Sequence, residues 1–139
     1  MRYLLDTNVI SEPFKRSPDR TVVRWLAEQS PLDLSISVLT IGELTMGFEL
    51  VPDGKRRDEL QRWVTQELPR RFVGRLLNVD DAVAREWGRL SAAGRVNGRE
   101  LPATDGLLLA TASVHSLIFV TRNERDCANR GIATLNPWT

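Results

Sequence analysis

Tyr3-Leu4-Leu5-Asp6 and Leu117-Ile118-Phe119-Val120 are the two stretches that decide the fold. Each is a short apolar run that reads as a buried strand, the second with no polar residue in it. Leu34-Ser35-Ile36-Ser37 alternates and reads as another strand. Leu76-Leu77-Asn78-Val79 and Ala133 to Leu135 are shorter candidates. The segments between them have helical spacing. Ser17-Pro18-Asp19 predicts a helix start, with a capping hydroxyl and proline at the first helical position. That helix carries Val22, Val23, Trp25 and Leu26 and stops near Ser30-Pro31. Val38 to Leu50 reads as a helix with Leu39, Gly42, Glu43 and Met46 on one face. After the turn Pro52-Asp53-Gly54, a charged helix runs from about Arg56 to Leu68. Asp80-Asp81 opens a helix, with acids where the dipole favours them. Another begins at Pro102-Ala103-Thr104-Asp105 and reaches about His115, and a short one lies near Arg125. Strands alternating with helices predict an α/β fold: one domain over residues 1–139, with a mainly parallel central sheet flanked by helices.

Composition narrows the class. The chain has 139 residues, 42% apolar and 27% charged, which suits one globular domain with a substantial core. Cys127 is the single cysteine and His115 the single histidine, so an internal disulfide and a His/Cys zinc cage are both excluded. No apolar run approaches the roughly 18 residues of a membrane span, and the N-terminal run is too short for a signal peptide. The expectation is a cytoplasmic protein without a membrane partner. The formal charge of +1 gives no support to a strongly basic nucleic-acid binder.

In parallel α/β sheets, ligands bind at the carboxyl ends of the strands. Four acids stand out around those ends: Asp6 after the first strand, Glu43 in the helix after the second, Asp105 in the first turn of an apolar helix, and Asp126 after the last long strand. Any one of them could be a cap or a surface acid, Asp105 above all. Together they are costly. Two charges about 5 Å apart at an effective dielectric near 20 repel by roughly 3 kcal/mol. Four must take up protons or share a cation. Oxygen donors without His or Cys favour a hard ion, Mg²⁺ or Mn²⁺, and such an ion suits phosphoryl chemistry. Asp6-Thr7-Asn8 lacks the second acid of a haloacid-dehalogenase-type phosphatase. Lys15 and Lys55 are misplaced for a receiver domain, and no Gly-rich turn follows the first strand for a dinucleotide.

The order and spacing of several motifs carry a resemblance. They are Leu4-Leu5-Asp6-Thr7-Asn8-Val9-Ile10, Ile41-Gly42-Glu43-Leu44 with Gly47, Leu101-Pro102-Ala103-Thr104-Asp105, Val120-Thr121-Arg122-Asn123-Glu124-Arg125-Asp126, and Leu135-Asn136-Pro137-Trp138. In these the chain resembles the PIN-domain ribonucleases, specifically VapC-type toxins of the FitB-like branch. The resemblance implies a single PIN-like domain and an Mg²⁺- or Mn²⁺-dependent endoribonuclease, the toxin of a type II toxin–antitoxin pair. Hydrolysis would use a metal-activated water. The partners it implies are an RNA substrate, a cognate antitoxin and a second copy in a homodimer. It maps the metal-site acids onto Asp6, Glu43, Asp105 and Asp126, with Asp6 and Asp105 as direct ligands. Asn8, Asn123 and Thr121 would support them. The alternatives are a catalytically silent binding module of the same fold and a small-molecule phosphatase. Gly106 and Leu109 depart from alanines common in relatives, and Cys127 from an aromatic.

The remaining candidates are weaker. Arg122 could contact substrate phosphate or pair with an acid. Arg70, Arg71 and Arg75 form a basic cluster that could guide RNA. Trp25, Trp63 and Trp87 have core spacing, and His115 reads as a cap. Met46, Phe48, Leu50 and Val51 exceed the needs of one buried face, so part of that stretch could face a partner. Taking the four acids from 18 leaves 14 against 19 basic residues, so the rest of the chain carries +5. A near-neutral total is therefore compatible with a polyanionic substrate.

Overall fold

Alternation within the strands divides the core in two. In the computed structural model, which describes all 139 residues, β1 (Tyr3–Leu5) is buried at every position. Tyr3 and Leu5 face one layer with Ile36, Phe48, Trp63 and Phe72; Leu4 faces the other with Leu108, Leu109 and Phe119. Both sheet faces are thus covered, which is why these strands read as continuous apolar runs.

Five parallel strands form the sheet in the order β3-β2-β1-β4-β5. They are β2 (Leu34–Ser37), β3 (Leu76–Leu77), β4 (Ile118–Val120) and β5 (Thr134–Leu135) around β1. Tyr3 pairs with Leu34 on one side and Ile118 on the other. The chain builds outward from β1 through β2 to β3, then returns to place β4 on the opposite side. The topological switch point therefore lies between β1 and β4. In open parallel sheets that is where ligands bind, beyond the carboxyl ends.

The helices are α1 (Thr7–Ser11), α2 (Arg20–Glu28), α3 (Val38–Glu49), α4 (Lys55–Arg62), α5 (Leu68–Arg71), α6 (Asp81–Val96), α7 (Ala103–Val114) and α8 (Glu124–Cys127). Ser37 caps α3 by accepting from the Leu39 N–H at 3.0 Å, and Asp80 caps α6 by accepting from Val83 N–H at 3.0 Å.

Several expectations are corrected. The cap of α2 is Asp19, which accepts from the Thr21 and Val22 N–H groups, and Ser17-Pro18 stays outside the helix. A carboxylate two residues on supplies the acceptor better placed for those orphan donors. The charged helix continues past Leu68 to Arg71 through a wider π-type turn at Trp63–Glu67 that buries Trp63 and Val64. α1 has no counterpart in the sequence reading. Thr40 and Phe48 are buried in α3, whereas Gly42 and Met46 are exposed. The inward face of α3 is therefore turned away from the one its apolar spacing suggested. Arg75 is no RNA guide: Nη1 donates to the Leu34 carbonyl at 2.6 Å and to that of Pro31, and Nη2 to Arg71 at 2.5 Å. Its charge ties the β3 edge to the loop before β2.

Gly94 marks one close approach. The Arg99 N–H donates to its carbonyl at 2.7 Å, and an added Cβ would stand 2.7 Å from the Arg99 carbonyl oxygen. Alanine would gain up to about 1 kcal/mol in helix propensity. Overpacking against backbone costs about 1–3 kcal/mol and outweighs it. Gly94→Ala is expected to lower the melting temperature by several degrees, measured by thermal unfolding.

Candidate active site

Asp6 stands at the switch point. It leaves β1 in extended conformation and caps α1, with Oδ1 accepting from the Thr7 N–H at 2.7 Å. Its Oδ2 accepts from the Thr121 hydroxyl at 2.7 Å. Thr121 directly follows β4, is fully buried, and itself accepts from the Asn123 N–H at 3.0 Å. One hydrogen bond thus closes the gap between the ends of β1 and β4. Burial raises the Asp6 carboxyl above the ordinary carboxylate range against the pull of its two donors, and the charges of Asp105 and Glu43 push the same way.

Glu43 reaches the same place from α3. Its Oε1 accepts from the Thr7 hydroxyl at 2.6 Å, and the Thr7 oxygen lies 3.1 Å from the Thr40 hydroxyl. Thr7 therefore links Asp6, through its backbone, to Glu43, through its side chain. The sequence reading gave Thr7 no role. Its signal was position alone, directly after the first acid and at the start of a helix.

Asp105 is not a cap. Pro102 occupies the cap position of α7, and the Asp105 carboxylate makes no hydrogen bond or ion pair. It is half-buried, and its carboxyl is raised by burial, then by Glu43 and by Asp126. Asp126 lies exposed on α8. None of the four acids has an arginine or lysine counter-ion. They form a series of like charges that act on one another: Asp6 with Asp105 and Glu43, and Asp105 with Glu43 and Asp126.

No three Asp, Glu, His or Cys side chains are gathered into a metal-holding group. The donors nonetheless fit a hard divalent cation. They are all oxygens, they repel one another, and two of them hold protons unusually well because burial, and then the neighbouring acids, oppose their charge. Mg²⁺ is commonly held through one or two carboxylates and several waters, not by a closed protein cage.

The other candidates separate clearly. Asn8 Oδ1 is buried without a donor. Asn123 serves the site through its backbone, and its side chain bonds to none of the acids. Arg122 pairs with no acid; its guanidinium lies 5.1 Å from the Trp138 ring centroid, and its carbonyl accepts from Asn136 Nδ2 at 3.4 Å. His115 follows the C-terminus of α7, roughly 15 Å along the axis from Asp105 at 1.5 Å per residue. The Cys127 thiol is pushed up to about 12 by burial, then by Asp105 and Asp6, so it stays protonated and inert at neutral pH. Gly106 leaves room for Trp87: a Cβ there would meet the indole at 3.0 Å.

This arrangement has relatives. The family model described as "PIN domain" matches residues 3–130. The chain belongs to the PIN-domain family. It is 37% identical over 135 residues to Toxin FitB of Neisseria gonorrhoeae, covering 97% of each protein. It is 36% identical to VapC ribonuclease Y4jK of Sinorhizobium fredii, covering 97% of this chain and 96% of that protein. Among solved structures, that of FitAcB from Neisseria gonorrhoeae superposes with a TM-score of 0.93 at 37% identity, over 98% of each chain. These relatives agree with the single α/β PIN domain and the parallel sheet observed here. The PIN domain's acids arise from four separate elements: the end of β1, α3, α7 and α8.

Proposed function

We propose that this PIN domain is a divalent-metal-dependent endoribonuclease, the toxin of a VapBC-like toxin–antitoxin pair. One observation carries the chemistry: four carboxylates without a counter-cation, acting on one another at the switch point of a parallel sheet. The names of the relatives, a toxin and a ribonuclease, support the biological reading.

Asp6 and Asp105 would hold Mg²⁺ or Mn²⁺, with Glu43 and Asp126 completing the site directly or through water. Such an ion acidifies water and neutralises charge at a phosphodiester. The chain's own contribution is placement. Thr121 and the Thr7 N–H fix both oxygens of Asp6. The Thr7 hydroxyl fixes one oxygen of Glu43 and leaves the other free of protein donors, able to accept a proton from the attacking water. Asn8 Oδ1 offers a further unpartnered acceptor, and Asn123 steadies Thr121. Arg122, exposed and free of acids, would meet substrate phosphate. A cognate antitoxin, a homodimer and a cytoplasmic location belong to the same proposal. No helix is long and apolar enough to cross a membrane.

Purified protein mixed with structured RNAs and Mn²⁺ is expected to cut them, leaving 5′-phosphate and 3′-hydroxyl ends, and EDTA is expected to stop it. Retention of RNA without products would indicate a silent binding module. Turnover of phosphate monoesters with RNA untouched would indicate a phosphatase.

A further inference from the structure

A cleft borders α6, its arginines coming from α6 itself, from the residues just after it, and from the loop between α8 and β5. Two adjoining cavities share Leu90, Gly94 and Arg130; Arg95 also lines the first, beside Glu100, and Arg89 and Arg99 the second. Arg99 spends its guanidinium on backbone: Nη1 donates to the Ala128 carbonyl at 3.1 Å, and Nη2 to those of Asp126 and Arg125 at 3.3 and 3.4 Å. Arg130 Nε donates to the Asp126 carbonyl at 2.9 Å, and its two Nη groups have no protein acceptor. Neither arginine pairs with a carboxylate, and Arg95 has only a 3.6 Å contact to exposed Glu100. The two guanidiniums share the Asp126 carbonyl, and neither is paired with a carboxylate. Gly94 admits them: a Cβ there would lie 3.3 Å from Arg130 Nη1.

The cleft borders the two elements that carry Asp105 and Asp126. Ala103 and Gly106 line it, on either side of Asp105 in α7, and Asp126 holds both arginines through its carbonyl. A phosphodiester chain held at the acids has flanking phosphates that need neutralising, and a guanidinium fork fits phosphate oxygens.

We propose that this cleft is a subsite for a neighbouring phosphate of the RNA strand, gripped by the free Nη groups of Arg130 with Arg95 beside it. The subsite rests on the ribonuclease reading. Fluorescence anisotropy with a labelled single-stranded RNA in EDTA, across a salt series, measures binding apart from cleavage. Arg130→Gln is expected to raise Kd about tenfold, as for loss of a hydrogen bond to a charged group. It is also expected to flatten the slope of log K against log salt by about 0.7. Arg95→Gln, on the helix surface, should act in the same direction without risk to the fold. Arg85→Gln, outside the cleft and paired with Asp81 at 2.8 Å, should change neither quantity. Unsubstituted protein that binds and cuts RNA while both cleft variants match it would overturn the subsite and leave the ribonuclease reading standing. Protein that neither binds RNA in EDTA nor cuts it with Mn²⁺ would overturn both.

Discussion

Asp105→Asn is expected to reduce RNA cleavage by about two to three orders of magnitude while leaving the fold unchanged. Loss of one group that stabilises charge in the reaction commonly costs that much. The separation from folding rests on the surroundings. Asp105 makes no hydrogen bond or ion pair, so replacing one oxygen by an amide breaks no native contact. Asp6→Asn should be equally inactive, but its oxygens accept from Thr7 and Thr121, so the amide forfeits one acceptor and the melting temperature is expected to fall. Initial rates on end-labelled RNA, set beside circular dichroism and thermal melting, check both. Undiminished cleavage by purified Asp6→Asn protein would sink the metal-site assignment.

Metal should stabilise the protein in proportion to what the acids lack. Asp6 and Asp105 both bind protons more tightly folded than unfolded, because burial and neighbouring acids oppose their charge. The stability linked to such groups is present below the unfolded carboxylate value near pH 4. It is lost as pH rises through the higher folded values. In EDTA, Asp105→Asn should therefore melt higher than the unsubstituted protein once pH passes out of that range, and the gap should close towards pH 4. A cation that binds only the folded state reverses the penalty. At a hundred times its Kd it adds about 2.7 kcal/mol. For a domain of this size that corresponds to roughly 10 °C in melting temperature. Mg²⁺ or Mn²⁺ titrations monitored by thermal unfolding should show this rise in the unsubstituted protein and little of it in Asp6→Asn or Asp105→Asn. A flat response at millimolar metal would argue against a cation site.

The parts of the fold that were legible rest on local physics. Leu117 to Val120 lacks any polar residue because both sheet faces are covered, and it lies where the sequence predicts. Asp80 caps α6 as its position implies. What was misjudged depended on choices between near-equivalent local signals. Ser17 and Asp19 are both good caps, and the acid two residues on prevails. Only part of the stretch Met46 to Val51 was read as partner-facing, and the structure divides it: Phe48 is buried while Met46 and Leu50 stay exposed. Arg75 looks like surface charge until three backbone carbonyls are seen to need it. The site was similarly divided. All four acids were named from strand ends and motifs, but Thr7, Thr40 and the way Thr121 spans to Asp6 were not. A hydroxyl's partner 33 or 115 residues away leaves no local trace.

The sequence by itself determined the α/β alternation and the apolar strands, and it singled out the four acids as candidates, because each follows from burial or from residue chemistry read along the chain. Only the tertiary structure decided that β1 and β4 are neighbours, and with that where the charges meet. It also decided that Asp105, the residue most easily taken for a helix cap, caps nothing. Strand order sets which carboxylates share a low-dielectric crevice. Repulsion between charges depends on distance through space and not on separation in sequence.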